Sequence, residues 1–124
     1  MHPDDSPIFL QLAAQIADDI VTGAYPEESA IPSATEYALF HTMNPATVSK
    51  GVNVLVEQGV LYKKRGIGMF VAAGARELLL TRRRAELYPN YIEPLMHEAA
   101  VLGIAPAELA RMIHDQLTLQ EDNS

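Results

Sequence analysis

The stretch from Asn44 to Val71 decides the fold of this chain, and it reads NPATVSKGVNVLVEQGVLYKKRGIGMFV. Asn44 and Pro45 are residues favoured at the N-cap and at the first position of a helix. Apolar residues then recur at the spacing of one buried helical face, at Val48, Val52, Leu55 and Val56. The stretch therefore begins with an amphipathic helix, which ends at Gln58-Gly59.

The second part of this stretch predicts a β-hairpin, which we call the wing. Residues 60–63 and 69–71 are rich in strand-forming residues, and Gly66 and Gly68 between them allow a tight turn. Three consecutive cations lead into that turn, namely Lys63, Lys64 and Arg65. Taken alone, such a tip is more often a solvated turn than a binding surface, so the order and spacing of the elements around it decide the interpretation.

An amphipathic helix precedes this stretch at residues 8–21, where apolar residues recur every three or four positions. Ser6-Pro7 is suited to begin this helix and Gly23 to end it. Residues 24–32 are rich in turn formers and predict an irregular connector.

A second, short helix is predicted to begin with a capping box at Ser33. The Ser33 hydroxyl can accept from the amide of Glu36, while the Glu36 side chain reaches back to the Ser33 amide. The residues of this helix that are available for packing are Tyr37, Ala38 and Phe40. With a turn at residues 41–43, the order is helix, helix, helix, strand, strand, which predicts a winged helix-turn-helix.

The helix that begins at Asn44 has the side chains that a DNA-reading helix needs. The major groove of B-DNA admits one α-helix, and the second helix of the motif inserts its N-terminal residues there. Those residues should be short or polar, and here they are Asn44, Ala46, Thr47, Ser49 and Lys50. The wing adds Lys63, Lys64 and Arg65 for phosphates, with Gly66 and Gly68 bringing backbone close to the minor groove. We therefore expect double-stranded DNA as a partner.

The charge of the chain is unevenly distributed. Its net charge of −7 argues against a polyanionic partner when taken as a sum. Residues 1–40, however, contain seven acidic residues and no Lys or Arg, whereas residues 41–65 contain four cations and Glu57 alone. A basic face on an acidic body can still attract phosphates.

The C-terminal half predicts helices that need a partner. Residues 75–87 are helical in pattern, Pro89 and Pro94 are expected to kink or restart the helix, and Pro106 begins a last helix. About 50 residues bury too little surface to be stable alone, so a twofold homodimer is the expected arrangement. The alternative is that the apolar side chains of this half pack back on the first half of the chain. The predicted dimerisation stripe comprises Leu78, Leu79, Ile92, Leu95, Met96, Leu109, Met112 and Ile113.

The predicted organisation is a winged helix-turn-helix domain at residues 7–73, a helical dimerisation region at 74–119 and a frayed tail at 120–124. The fold class is therefore mainly α with a small β-hairpin. The run Arg82-Arg83-Arg84 allows either a DNA contact or a solvated helix face paired with Glu77 and Glu86, and the second is favoured.

Other function classes find little support in the sequence. The chain has no Cys, and it has neither a recognisable nucleophile–base pair nor a phosphate-cradling glycine loop, so we expect no enzyme and no cofactor. His97-Glu98 and His114-Asp115 are too few for a predicted metal site. No apolar run has the length of a membrane span, and a cytoplasmic protein is expected. A winged helix used only for protein interaction is the alternative, and a small-molecule effector remains open.

Residues 7–71 resemble the N-terminal domain of the GntR family of bacterial transcription regulators. The resemblance rests on residues 7–12, 20–23, 31–33, 44–50, 55–61 and 65–71. It implies a phosphate contact from Ser33, recognition-helix contacts from Thr47 and Lys50, and wing contacts from Arg65 and Gly66.

The short C-terminal half is similar to that of the YtrA-type subfamily, whose members lack a large effector-binding domain. The resemblance implies a dimeric repressor that binds a palindromic operator. One departure is Thr35, because the family usually has a DNA-contacting Arg at this position.

Overall fold

The computed structural model of the chain describes residues 7–122. In chain order its elements are α1 (Ile8–Thr22), β1 (Ala30–Ile31), α2 (Ala34–His41), α3 (Pro45–Glu57), β2 (Leu61–Lys64), β3 (Gly68–Val71), α4 (Ala75–Leu87), a π-helix (Tyr88–Ile92), α5 (Glu93–Val101) and α6 (Pro106–Asp122). The predicted fold class, a winged helix-turn-helix followed by a short helical region, is confirmed. Ser6, the predicted start signal of the first helix, lies outside the described residues, and α1 has Pro7 at its N-cap.

The chain divides into two compact units, the first ending at Arg82 and the second beginning at Arg83. The first unit contains α1 to α3, the sheet and most of α4. Its most deeply buried large side chains come from α1, α3, β2, β3 and the turn before β2: Ile16, Ile20, Val48, Val60, Leu61 and Val71. In the second unit, Ala99 is the single buried residue among residues 83–122.

The close approach of α1 to α3 depends on Gly51. A Cβ atom at this position would lie 2.7 Å from the carbonyl oxygen of Phe9 and 3.0 Å from Cδ2 of Leu12. Glycine is therefore needed in the middle of α3 for steric reasons, although it weakens a helix. Val48, Val52 and Leu55 are buried on the same side of α3, as the spacing predicts.

The sheet has three antiparallel strands in the order β1-β3-β2. The expectation of an irregular connector at residues 24–32 is wrong at β1, where Ala30 pairs with Phe70 and Ile31 with Met69. A strand of two residues is too short to show an alternating pattern, so tertiary pairing decides it. Ile31 is buried against the core, which explains why this edge forms.

The short helix α2 begins with the predicted capping box. The Ser33 hydroxyl accepts from the Glu36 amide at 3.1 Å, and a Glu36 carboxylate oxygen accepts from the Ser33 amide at 3.2 Å. Tyr37 is buried as predicted, but the prediction for Phe40 is wrong, since this side chain is 86% exposed. Its ring packs instead edge-on against the ring of His41, with centroids 5.3 Å apart.

The first turns of α4 belong to the core of the first unit. Ala75 is buried, and Leu79 is only 6% exposed. The prediction that Leu79 lies on an exposed stripe is therefore wrong, and Leu78 is half-buried against the same core. Two consecutive leucines in a helix pattern do not reveal which neighbour they pack against.

Two arginines of α4 bind the carboxyl ends of α1 and α3. Arg76 Nε donates to the carbonyl oxygen of Val21 at 2.9 Å, and Arg82 Nη2 donates to that of Gln58 at 3.2 Å. The last carbonyls of a helix lack intrahelical partners, and cations are favourable there. Arg82 thus caps α3, which neither interpretation of the arginine run anticipated.

Within the second unit, the prolines have the predicted effect. Pro89 lies in the π-helix and Pro94 in the first turn of α5. The predicted frayed tail from residue 120 is wrong as far as Asp122, because α6 continues to that residue. No helix within residues 7–122 combines the length and the apolar character needed to cross a membrane.

We expect Gly51→Ala to destabilise the first unit, because the added methyl forces the backbone of α1 away from α3. Overpacking of this kind lowers the free energy of unfolding by about 1–3 kcal/mol. The control is Asn53→Ala on the exposed side of α3, where the better helix former raises stability by up to about 0.7 kcal/mol. Urea denaturation measures both, and equal stabilities of the two variants would contradict the close approach.

Candidate nucleic-acid interface

The N-terminus of α3 is fixed by the predicted cap. The Asn44 side-chain oxygen accepts from the amide of Ala46 at 2.8 Å, and Pro45 occupies the first helical position. Because the oxygen of Asn44 is used in capping, its side-chain NH₂ group is the part left to contact a ligand.

The exposed side of α3 lies opposite its buried stripe and is built from short or polar side chains. Its members in the first three turns, which we call the α3 face, are Ala46, Ser49, Lys50 and Asn53. Thr47 lies at the edge of this face and is half-buried. Asn53 was missed by the sequence analysis, although its spacing of seven residues from Ala46 places it on the same side.

The structure brings the wing and the start of α2 together around one groove of about 610 Å³. Residues predicted to contact DNA that line this groove are Ser33, Ser49, Lys63, Lys64, Arg65, Gly66 and Gly68. The groove also includes Glu36 and Asn53. The other predicted residues do not line the groove: Asn44 is the N-cap of α3, and Ala46, Thr47 and Lys50 lie in its first two turns.

Ser33 is placed to serve two roles. Its oxygen accepts a hydrogen bond inside the capping box, which leaves its own O–H free to donate toward the groove. Glu36, the acidic residue of the groove, has its carboxylate engaged by the Ser33 amide. Thr35, for which the family resemblance implies an Arg, is exposed in the first turn of α2.

The turn of the wing presents backbone and cations to solvent. Lys64 pairs with Gly68 across the strands, and the amide of Ile67 donates to the carbonyl oxygen of Lys64 at 2.9 Å. Gly66 has a φ of 77°, a left-handed conformation that glycine adopts without strain. Lys63, Lys64 and Arg65, which we call the wing cations, are all exposed.

Two lysines of the interface lie on aromatic rings, which the sequence analysis did not predict. The Lys50 ammonium is 4.2 Å from the centroid of Phe9, and the Lys64 ammonium is 4.5 Å from that of Phe70. Both distances are within the range of a cation–π interaction. Phe9 belongs to α1, so its contact with Lys50 follows from the close packing at Gly51.

The hydroxyl of Tyr62 donates to a carboxylate oxygen of Glu28 at 3.2 Å. Partial desolvation, and then the hydrogen bond and the negative charge of Glu28, raise the pKa of Tyr62 above its usual value. The hydroxyl is therefore a neutral donor at physiological pH, and it ties the wing to the connector before β1.

The remaining predicted residues of the dimerisation stripe lie in the second unit. Leu109 is half-buried, and the exposed members are Ile92, Leu95, Met96, Met112 and Ile113. Within residues 7–122, no three His, Asp or Glu side chains are grouped closely enough to hold a metal ion.

The arrangement as a whole is suited to a polyanionic duplex. Three cations and several hydrogen-bond donors line the groove with a single carboxylate among them, and that carboxylate is already hydrogen-bonded. The α3 face beside the groove offers short side chains that allow close approach of the helix.

Known proteins resemble this chain over most of its length. A GntR-family transcriptional regulator of solved structure from Bacteroides thetaiotaomicron is 38% identical, and the match covers 92% of this chain and 99% of that one with a TM-score of 0.76. The transcriptional repressor YtrA of Bacillus subtilis is 24% identical over 89% of this chain and 84% of its own length. This match agrees with the predicted YtrA-like subfamily.

Two further similarities are partial: one covers only part of the related protein, and the other covers only part of this chain. The regulator YurK of Bacillus subtilis is 28% identical over 95% of this chain, which spans about half (49%) of the length of YurK. The DNA-binding domain of AraR, solved in complex with its operator ORX1, is 29% identical over 58% of this chain and 87% of that domain, with a TM-score of 0.54. No protein-family model matches the chain. By its similarity to the Bacteroides regulator, the chain belongs to the GntR family of transcriptional regulators.

Proposed function

We propose that this protein is a sequence-specific transcription repressor that binds a palindromic DNA operator as a homodimer in the bacterial cytoplasm. The observation that carries the proposal is the juxtaposition of the wing cations with Ser33 and Ser49 around one groove, beside the α3 face. The relatives support it, since YtrA is described as a repressor and the AraR domain was solved on operator DNA.

In this proposal the two parts of the interface have different roles. The N-terminal turns of α3 enter the major groove, where Thr47, Ser49 and Lys50 read base edges. The wing cations and the Ser33 hydroxyl contact phosphates, which supplies affinity without sequence information. Because Thr35 stands where the family resemblance implies an Arg, we expect the affinity to depend more strongly on the wing cations.

Dimerisation is proposed from the exposed apolar side chains of the second unit. Ile92, Leu95, Met96, Met112 and Ile113 are 38–51% exposed, whereas the unit has one buried residue of its own within the described part of the chain. A second copy of the chain is the partner we propose, because a twofold pair covers the same apolar side chains on both copies. It also presents two α3 helices to two half-sites.

A mobility-shift titration on the DNA upstream of the protein's own gene tests the function. We expect Thr47→Ala to weaken binding to the shifted fragment about three- to tenfold, the effect of one lost hydrogen bond, while binding to mixed-sequence DNA is unchanged.

Arg65→Ala should weaken binding to both kinds of DNA, and it should lower the slope of log affinity against log salt concentration by about 1. Sedimentation of the same sample measures whether the protein is a dimer. A dimer that shifts no promoter fragment at low salt would contradict the proposal and favour a protein-interaction module.

Substitutions at Ser33 separate its capping role from its contact with DNA. Ser33→Ala removes both, so we expect a loss of about 1 kcal/mol in the free energy of unfolding together with weaker binding. Ser33→Asp retains an N-cap acceptor and should keep the stability near that of the wild type. It replaces the O–H donor by a negative charge, and we expect weaker DNA binding. Wild-type affinity in Ser33→Asp would remove Ser33 from the interface.

A further inference from the structure

The wing carries an aromatic pair on its outer side, next to Lys64, and the proposed DNA contacts do not explain this pair. Side chains alternate along a strand, so Tyr62 and Lys64 lie on the opposite side of the sheet from the buried Leu61. Tyr62 pairs with Phe70 across β2 and β3. Their rings are stacked, with centroids 5.9 Å apart and planes at 26°.

The ammonium group of Lys64 lies over this aromatic pair. It is 4.5 Å from the ring centroid of Phe70 and 5.9 Å from that of Tyr62. Lys63 is one residue earlier in the same strand, lies on the other side of the sheet and pairs with Met69. The two adjacent cations of the wing therefore have different surroundings.

The connector before β1 holds the aromatic pair in position through hydrogen bonds. The Tyr62 hydroxyl donates to Glu28, whose own amide donates to the carbonyl oxygen of Val71 at 2.8 Å. Glu28 has a φ of 66°, an uncommon conformation for a residue other than glycine. The position of the Tyr62 ring is thus set by both a strand and a loop.

We propose that Phe70, supported by Tyr62, is a positioning residue that holds Lys64 in place for a DNA phosphate. The inference rests on the proposed function. A lysine side chain has much rotamer freedom to lose on binding, and a contact made before binding reduces that loss. A cation on a ring face keeps its N–H donors available on the side away from the ring.

The test compares Phe70→Leu, which removes the ring and keeps an apolar side chain, with Phe70→Tyr, which keeps the ring. Affinity is measured by fluorescence anisotropy on a short labelled duplex of mixed sequence, so that only phosphate contacts count. We expect Phe70→Leu to bind about two- to fivefold more weakly. Phe70→Tyr should bind like the wild type.

Two double variants make the test specific to one lysine. In a Lys64→Met background, Phe70→Leu should have no further effect on affinity. In a Lys63→Met background, which removes the neighbouring cation from the other side of the sheet, it should keep its full effect. Equal effects of Phe70→Leu in both backgrounds would overturn the positioning role, as would wild-type affinity of Phe70→Leu itself.

A measurement without DNA separates this inference from the proposed function. In NMR spectra of the free protein, the ε-CH₂ protons of Lys64 should be shifted upfield by the ring current and show NOEs to the Phe70 ring. An unshifted Lys64 signal in the folded wild type would overturn the inference. If the wild type shows the shift and binds no duplex, the proposed function fails and the role in DNA binding fails with it.

Discussion

The burial of one side of α3 against α1 is the constraint on which the rest of the structure depends. A single helix has to give Val48, Val52 and Leu55 to the core and still present a surface to solvent. Gly51 allows the backbone of α1 to approach so closely that Phe9 lies beside Lys50. The α3 face therefore consists of side chains of α3 that the core does not bury. Because they lie outside the core, their short length does not weaken its packing.

The wing depends on the same core through β3, the central strand of the sheet. Val71 is buried beneath it, while Phe70 and the turn face outward. On one side β1 adds a short edge, and the bond from Tyr62 to Glu28 ties β2 to the connector. On the carboxyl side of α3, Arg82 caps the helix end, so both ends of this helix have partners outside its own hydrogen-bond ladder.

Local patterns predicted the parts of the structure that local chemistry determines. The capping box at Ser33, the Asn44 cap and the proline effects follow from residue type and spacing alone, and the structure has them. Tertiary packing determines β1 and the burial of Leu79, and it leaves Phe40 exposed. Neither a two-residue strand nor a helical apolar pattern specifies which partner, if any, covers its side chains. Among the candidate site residues, Asn53 was within reach of helical periodicity. The contacts of Lys50 and Lys64 with aromatic rings could not be predicted in this way, because the rings belong to other elements of the fold.

The central claim is that α3 and the wing face one duplex together, and tethered DNA cleavage tests it most directly. The chain has no Cys, so Ala46→Cys and Ile67→Cys each give one attachment point for an iron chelate. On a DNA fragment that the protein shifts, the account predicts cuts from residue 46 inside the protected region with the stagger of a major-groove source. Cuts from residue 67 should flank them with the stagger of a minor-groove source. Cleavage from either position that matches the untethered reagent would contradict the account.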